Sequence, residues 1–235
     1  MPFNDNITTT PAERKLLIAK IGIGLAVLGM IISYTYVWIK FLDMEAARDA
    51  ALFHHNFYRS RHGSAPLRRN ADLDMLAQMC ASYYKPKGMI DHSCPYYKSG
   101  INFYFSEADG IGENGLGVGA GAHPWSEIEL GELGTWAFYK ETYNYNFSDF
   151  KNDLETHFGN VGHFTEILWR DTREFGLGYT TYTLDGGKTY GTLGVFLYSP
   201  AGNVLTKDKE LFIMNVKPVI PGAKPIRSVI PRNAN

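Results

Sequence analysis

The stretch GHFTEILWRDT, residues 162–172, sets a histidine, a glutamate and a tryptophan inside one short apolar run. Such runs serve buried strands or helices, where an ionised group is costly unless it is paired. His163 and Glu166 therefore either do chemistry or close hydrogen bonds within the core. Their relation depends on the backbone. In a helix they are i,i+3 neighbours and can interact, whereas in a strand they point to opposite faces. These residue types allow two kinds of chemistry: a neutral imidazole can ligate zinc, and a carboxylate can act as a base toward water. No HExxH helix or nucleophile elbow accompanies them, and no motif places a Ser or Cys beside a base. His54, His55, His62, His123 and His157 make weaker candidates, as surface, loop or packing residues. Trp136 and Trp169 read as core. His123-Pro124-Trp125 reads either as an exposed aromatic loop facing lipid or ligand, or as a turn with a packed Trp.

The two cysteines, Cys80 and Cys94, belong to no CxxC or CxxH cluster, which excludes a structural zinc knuckle. They form one bridge or remain as two thiols. The 235 residues carry a formal net charge of −1 and 45% apolar side chains. The chain can thus build one substantial core. No basic run extends beyond Arg68-Arg69, so nucleic acid is not an expected partner.

The elements that must position these residues begin with the front of the chain. Residues 21–39, IGIGLAVLGMIISYTYVWI, are uncharged and bracketed by Lys20 and Lys40. At about 1.5 Å per residue, such a helix nearly spans the roughly 30 Å hydrocarbon core of a bilayer. Tyr34, Tyr36 and Trp38 gather at its end, where amphipathic rings favour the headgroup level. A cleaved signal peptide competes, because Arg14 and Lys15 form a positive n-region. However, the run is long and ends in YTYVWIK rather than at an A-x-A site, so the reading is an uncleaved anchor. Arg14, Lys15 and Lys20 before the span, against Lys40 and Arg48 after it, favour an extracytoplasmic main domain. The sequons Asn6-Ile7-Thr8 and Asn146-Phe147-Ser148 lie on opposite sides of the span, so a glycan would report the orientation. Gly22 and Ala26, with Gly29 and Ser33, have the spacing that lets two membrane helices pack, which raises the expectation of a homodimer.

In the remainder, DMEAARDAALFHHNFYRSRHG (43–63) has helical spacing and a Gly63 stop. ADLDMLAQMCASYY puts Leu73, Leu76, Ala77 and Cys80 on one stripe, and ELGTWAFYKETYNY predicts a third helix. EFGLGYTTYTLDGGKTYGTLGVFLYSP alternates around a Gly-bearing turn at residues 184–188, which predicts a β-hairpin. Helices first and an antiparallel hairpin later give an α+β class. The tail after Pro218 is rich in Pro and basic residues and reads as mobile.

GHFTEILWRDT, HNFYRSRHGSAPL, GEN (112–114) and YSPAGNV (198–204) occur in an order that resembles the CAP superfamily: cysteine-rich secretory proteins, antigen 5 venom proteins and plant pathogenesis-related proteins. The Golgi-associated plant pathogenesis-related type is the most similar in style, with a KETYNYNF-like helix and a PAGNV strand end. The resemblance implies a three-layer α-β-α sandwich over residues 41–217. It would be preceded by an N-terminal tail (1–19) and a single transmembrane anchor (20–40), and followed by a flexible tail (218–235). It also implies a cleft holding two histidines and two glutamates, here His92, Glu113, Glu141 and His163. His92 and His163 would be the metal pair for zinc or another divalent cation, and His55 would pack or cap in the first helix.

There are departures from the family pattern. Glu166 stands where the family usually has Gln, Gly115 replaces the leucine after GEN, and the segment around residues 94–110 is longer. The final-strand cysteine of secreted members is absent, with Phe196 nearest its place. The function implied is a membrane-anchored CAP-domain protein of the plasma membrane or secretory pathway. It would bind membrane lipids, sterols or a protein partner without turnover. A metal-dependent hydrolase or protease using the four cleft residues is the alternative. A secreted effector, which requires cleavage of the front segment, is a third reading.

Overall fold

The computed structural model describes residues 10–98, 110–121, 126–151, 158–206 and 209–226. His123, Trp125, His157 and the Asn6 sequon lie outside these. The chain divides into two units, Met1–Asp43 and Met44–Asn235. Helix α1, Pro11–Arg61, begins in the first and ends in the second.

In the first unit, Arg14–Tyr36 is long and apolar enough to cross a membrane, and none of it is buried. Its 23 residues extend for about 35 Å as a helix. The Thr35 hydroxyl donates to the Ile31 carbonyl at 2.8 Å, which keeps the polar side chain satisfied within the helix itself.

The second unit is built around a four-stranded sheet in the order β1-β3-β4-β2. Here β1 is Arg68–Arg69, β2 Gly112–Gly121, β3 Glu174–Leu184 and β4 Thr189–Ser199. β1 runs parallel to β3, and the other pairings are antiparallel. The hairpin expected around residues 184–188 is present as the β3–β4 turn. Two features were not read from the sequence: β2, where Leu116, Val118 and Ala120 alternate only with glycines, and the short parallel β1–β3 pair.

Helix α2, Ala71–Tyr84, covers one face of the sheet. The Asn70 side chain caps it, accepting from the backbone N–H of Asp72 and Leu73. Gly176 and Gly178 of β3 let α2 settle on the strand, because a Cβ at either would run into the backbone of Leu73–Asp74 or Ala77–Gln78. Leu73, Leu76, Ala77 and Cys80 then pack on Leu193, Val195 and Leu197. On the other face lie the end of α1, helix α4 (Glu127–Lys140) and helix α5 (Gly162–Leu168). There Trp136, Phe138, Phe164 and Trp169 pack with Phe175, Phe196 and Tyr198. Ser126 and Glu129 form a reciprocal capping box at the start of α4. The result is three layers, helix on sheet on helix. Two short helices complete it, α3 (Pro95–Lys98) and α6 (Glu210–Asn215).

Residues after Pro218 do not all stand away from this body. The Ile220 N–H donates to the Arg61 carbonyl at 2.8 Å, and Ile226 packs against the core.

Candidate functional site

The motif around the end of α1 is a set of clamps. Asn56 makes a two-way pair with Leu67, accepting from its N–H at 2.7 Å and donating to its carbonyl at 3.0 Å. Arg59 is fully buried. Its guanidinium donates to the carbonyls of Ala65, Ile167, Trp169 and Thr172 at 2.7–3.0 Å, closing the C-terminal end of α5. His55 is also fully buried, and burial holds its pKa down to about 3, so it is neutral. Nδ1–H donates to the Ala51 carbonyl at 2.7 Å, leaving Nε2 to accept from the Tyr198 hydroxyl at 2.8 Å. His62 is likewise buried and lowered to about 4, with its Nε2 2.9 Å from the Tyr139 hydroxyl.

Tyr198 carries this chain of hydrogen bonds to the GHFT segment. Its oxygen also accepts from Asn114 Nδ2 at 3.4 Å, and the same amide donates to the His163 carbonyl at 3.1 Å. Asn114 therefore faces α5. Its neighbour Glu113, on the other side of the strand, meets Tyr84 of α2.

The GHFT segment is helical. α5 has no side-chain cap of its own. Glu141, at the junction of α4 and a short 3-10 turn, takes that role. One carboxylate oxygen accepts the Phe164 N–H at 3.1 Å, and the other lies 2.7 Å from His163 Nδ1. Phe138 stacks on the His163 ring with centroids 4.8 Å apart. This is how a carboxylate sets an imidazole's tautomer and orientation, directing Nε2 away from the pair.

The second pair is differently built. His92 sits at a left-handed backbone position with its side chain exposed, and its Nδ1 is 3.8 Å from Glu113 Oε2. The Glu113 side chain is 2% exposed. The Tyr84 hydroxyl donates to the same oxygen at 3.2 Å and accepts from the Cys94 N–H at 2.9 Å. Burial and the neighbouring Glu113 hold the Tyr84 phenol above its ordinary pKa. Burial likewise raises Tyr97, which also bonds Glu113. Glu113 Oε1 is buried with no hydrogen-bond partner among the described residues. Cys80 and Cys94 are joined in a disulfide, which ties the His92 loop to α2.

The four residues expected in the cleft thus stand as two His–Glu pairs. Among the described residues, no three His, Cys, Asp or Glu side chains converge as a metal site.

Glu166 belongs to neither pair. It is buried on the inner side of α5, and its Oε1 accepts the Gly202 N–H at 2.9 Å. Its carboxyl fills the space where a Cβ on Gly112 or Gly202 would stand. Burial raises its pKa to about 7, against partial offset by the Gly202 N–H and the Arg59 charge.

The model of the cysteine-rich secretory protein family (CAP) matches residues 52–198, more than half the chain. The chain belongs to the CAP family. Among relatives of this CAP chain, the Golgi-associated plant pathogenesis-related protein 1 of Homo sapiens is 28% identical over 165 residues, covering 70% of the chain and 88% of the relative. The secreted protein RBT4 of Candida albicans is 30% identical over 156 residues, covering 66% of the chain. The chain spans 35%, 52% and 40% of the first curated relatives it matches. Among solved structures, Na-ASP-1 superposes with a TM-score of 0.50 at 18% identity, over 68% of this chain and 40% of that one. That likeness supports the fold alone.

The motifs that carry the CAP match hold both structural clamps and members of the two His–Glu pairs. Arg59, Asn114, Tyr84 and Tyr198 were not singled out in the sequence. Their only advance signal was membership of the same motifs, or of the stripe of α2.

Proposed function

We propose that this CAP protein is held in a membrane of the secretory pathway by its uncleaved N-terminal helix. Its extracytoplasmic CAP domain binds an apolar, hydroxyl-bearing ligand, a membrane lipid or sterol, without turning it over. The observation that carries the reading is the exposed apolar span Arg14–Tyr36. A surface of that extent is satisfied by lipid rather than water. The disulfide supports an oxidising compartment.

Binding rather than turnover is supported by how the carboxylates are engaged. Glu141 is used in capping α5 and orienting His163. Glu113 is held by tyrosine hydroxyls, with one buried oxygen left as an acceptor. A buried acceptor of this kind is satisfied by a donor such as an alcohol.

The test uses the full chain. It should resist extraction from membranes at alkaline pH, retain residues 14–36 in its mature form, and be labelled by a photoactivatable sterol in competition with unlabelled sterol. Tyr84→Phe should weaken that labelling several-fold. Release from membranes without detergent, or labelling that no unlabelled lipid or sterol competes away, overturns the proposal.

A further inference from the structure

The sequon Asn146-Phe147-Ser148 lies in the turn that follows Glu141 and its short 3-10 segment. The turn is pinned by its middle residue. Phe147 is half-buried, packing edge-on against Tyr145 at 4.9 Å and Phe164 at 6.2 Å between centroids and stacking on His62. Asn146 and Ser148 are both exposed. The backbone is closed by two local bonds. The Ser148 N–H donates to Asn146 Oδ1 at 3.0 Å, and the Asp149 N–H donates to the Asn146 carbonyl at 3.0 Å. An anchored apolar residue thus displays the acceptor asparagine and the hydroxyl residue it requires together on the surface, where a bulky glycan displaces no core contact. The same unit carries the Cys80–Cys94 disulfide, an independent mark of an oxidising compartment.

We infer that Asn146 is an N-glycosylation site and bears an oligosaccharide in the mature protein. The inference rests on the extracytoplasmic placement of the CAP domain proposed above. The donor is an oligosaccharide activated as a polyprenyl pyrophosphate. Asn146 Nδ2 attacks its anomeric carbon, and the new C–N bond replaces the C–O bond to pyrophosphate. The lipid pyrophosphate leaves, and the amide gives up one proton.

The full chain, expressed in a eukaryotic cell, should migrate as a species shortened by one glycan on treatment with peptide N-glycosidase. Asn146→Gln and Ser148→Ala should each abolish that shift. Both changes are at the surface, so non-reducing mobility should still show the disulfide. Gly187→Asn supplies the control, because it completes a second sequon with Lys188 and Thr189 in the exposed β3–β4 turn. If that variant gains a glycan while Asn146 carries none, the site is wrong and the topology stands. If neither is modified, or if the shift depends on Asn6, both the site and the proposed orientation fail.

Discussion

The carboxylate of Glu141 spans two partners at the start of α5, lying 2.7 Å from His163 Nδ1 and accepting the Phe164 N–H at 3.1 Å. One side chain thereby supplies a helix cap and fixes an imidazole. Its place beside His163 has a structural reason independent of any ligand. Glu141→Ala should destabilise the CAP domain by about 1–2 kcal/mol, read from urea unfolding. Glu141→Gln should recover part of the loss, because an amide oxygen can still accept from Phe164. Equal loss in both variants would show that the charge, not the cap, matters.

Glu166 makes stability depend on pH. Its folded pKa is about 7 against an ordinary 4.5, so between those values the folded chain keeps a proton that the unfolded chain has released. The stability linked to this group is fully present below about pH 4.5 and is lost as pH rises through about 7. Glu166→Gln keeps an acceptor for the Gly202 N–H and removes the titration. It should leave stability near pH 4 unchanged and raise it at pH 8 by on the order of 3 kcal/mol. Parallel pH profiles for the two proteins would refute this.

Arg59 is a buried cation acting through backbone oxygens rather than through an ion pair. Arg59→Met removes its hydrogen bonds to Ala65, Ile167, Trp169 and Thr172; the Trp169 carbonyl keeps the Thr172 N–H and the Thr172 carbonyl keeps Arg173 Nη1, while the carbonyls of Ala65 and Ile167 lose the guanidinium donor. A loss of about 3–5 kcal/mol is expected, measured by chemical denaturation. A loss under about 1 kcal/mol would mean that water replaces the guanidinium.

The disulfide links residues 14 apart in sequence. A loop of that size restricts the unfolded chain by about 3 kcal/mol. Cys80→Ala with Cys94→Ala should lower stability by about that amount. It should also loosen the His92 loop, visible as faster exchange of the amide at position 94, whose N–H bonds Tyr84. Unchanged exchange there would separate the bridge from the His92–Glu113 pair.

Local composition alone determined the apolar span and the hairpin turn at residues 184–188, because length, charge and Gly-rich turn chemistry need no distant partner. The motif order HNFYRSRHGSAPL, GEN, GHFTEILWRDT and YSPAGNV likewise carried the family, and helical spacing followed by the hairpin carried the α+β class. Tertiary structure alone decided what each polar residue does. Whether GHFT forms a helix or a strand depended on the Glu141 cap from another element. Whether the two thiols join depended on α2 facing the His92 loop. Glu166 became a buried acid only where Gly112, Gly202 and Arg59 close around it. β2 carries only a weak strand signal, because glycines, poor strand formers, alternate with Leu116, Val118 and Ala120, and it exists through its pairing with β4. The reason is common to all of these: propensity and periodicity act within a few residues, while burial, charge pairing and hydrogen-bond partners are set by segments that meet only when the chain is folded.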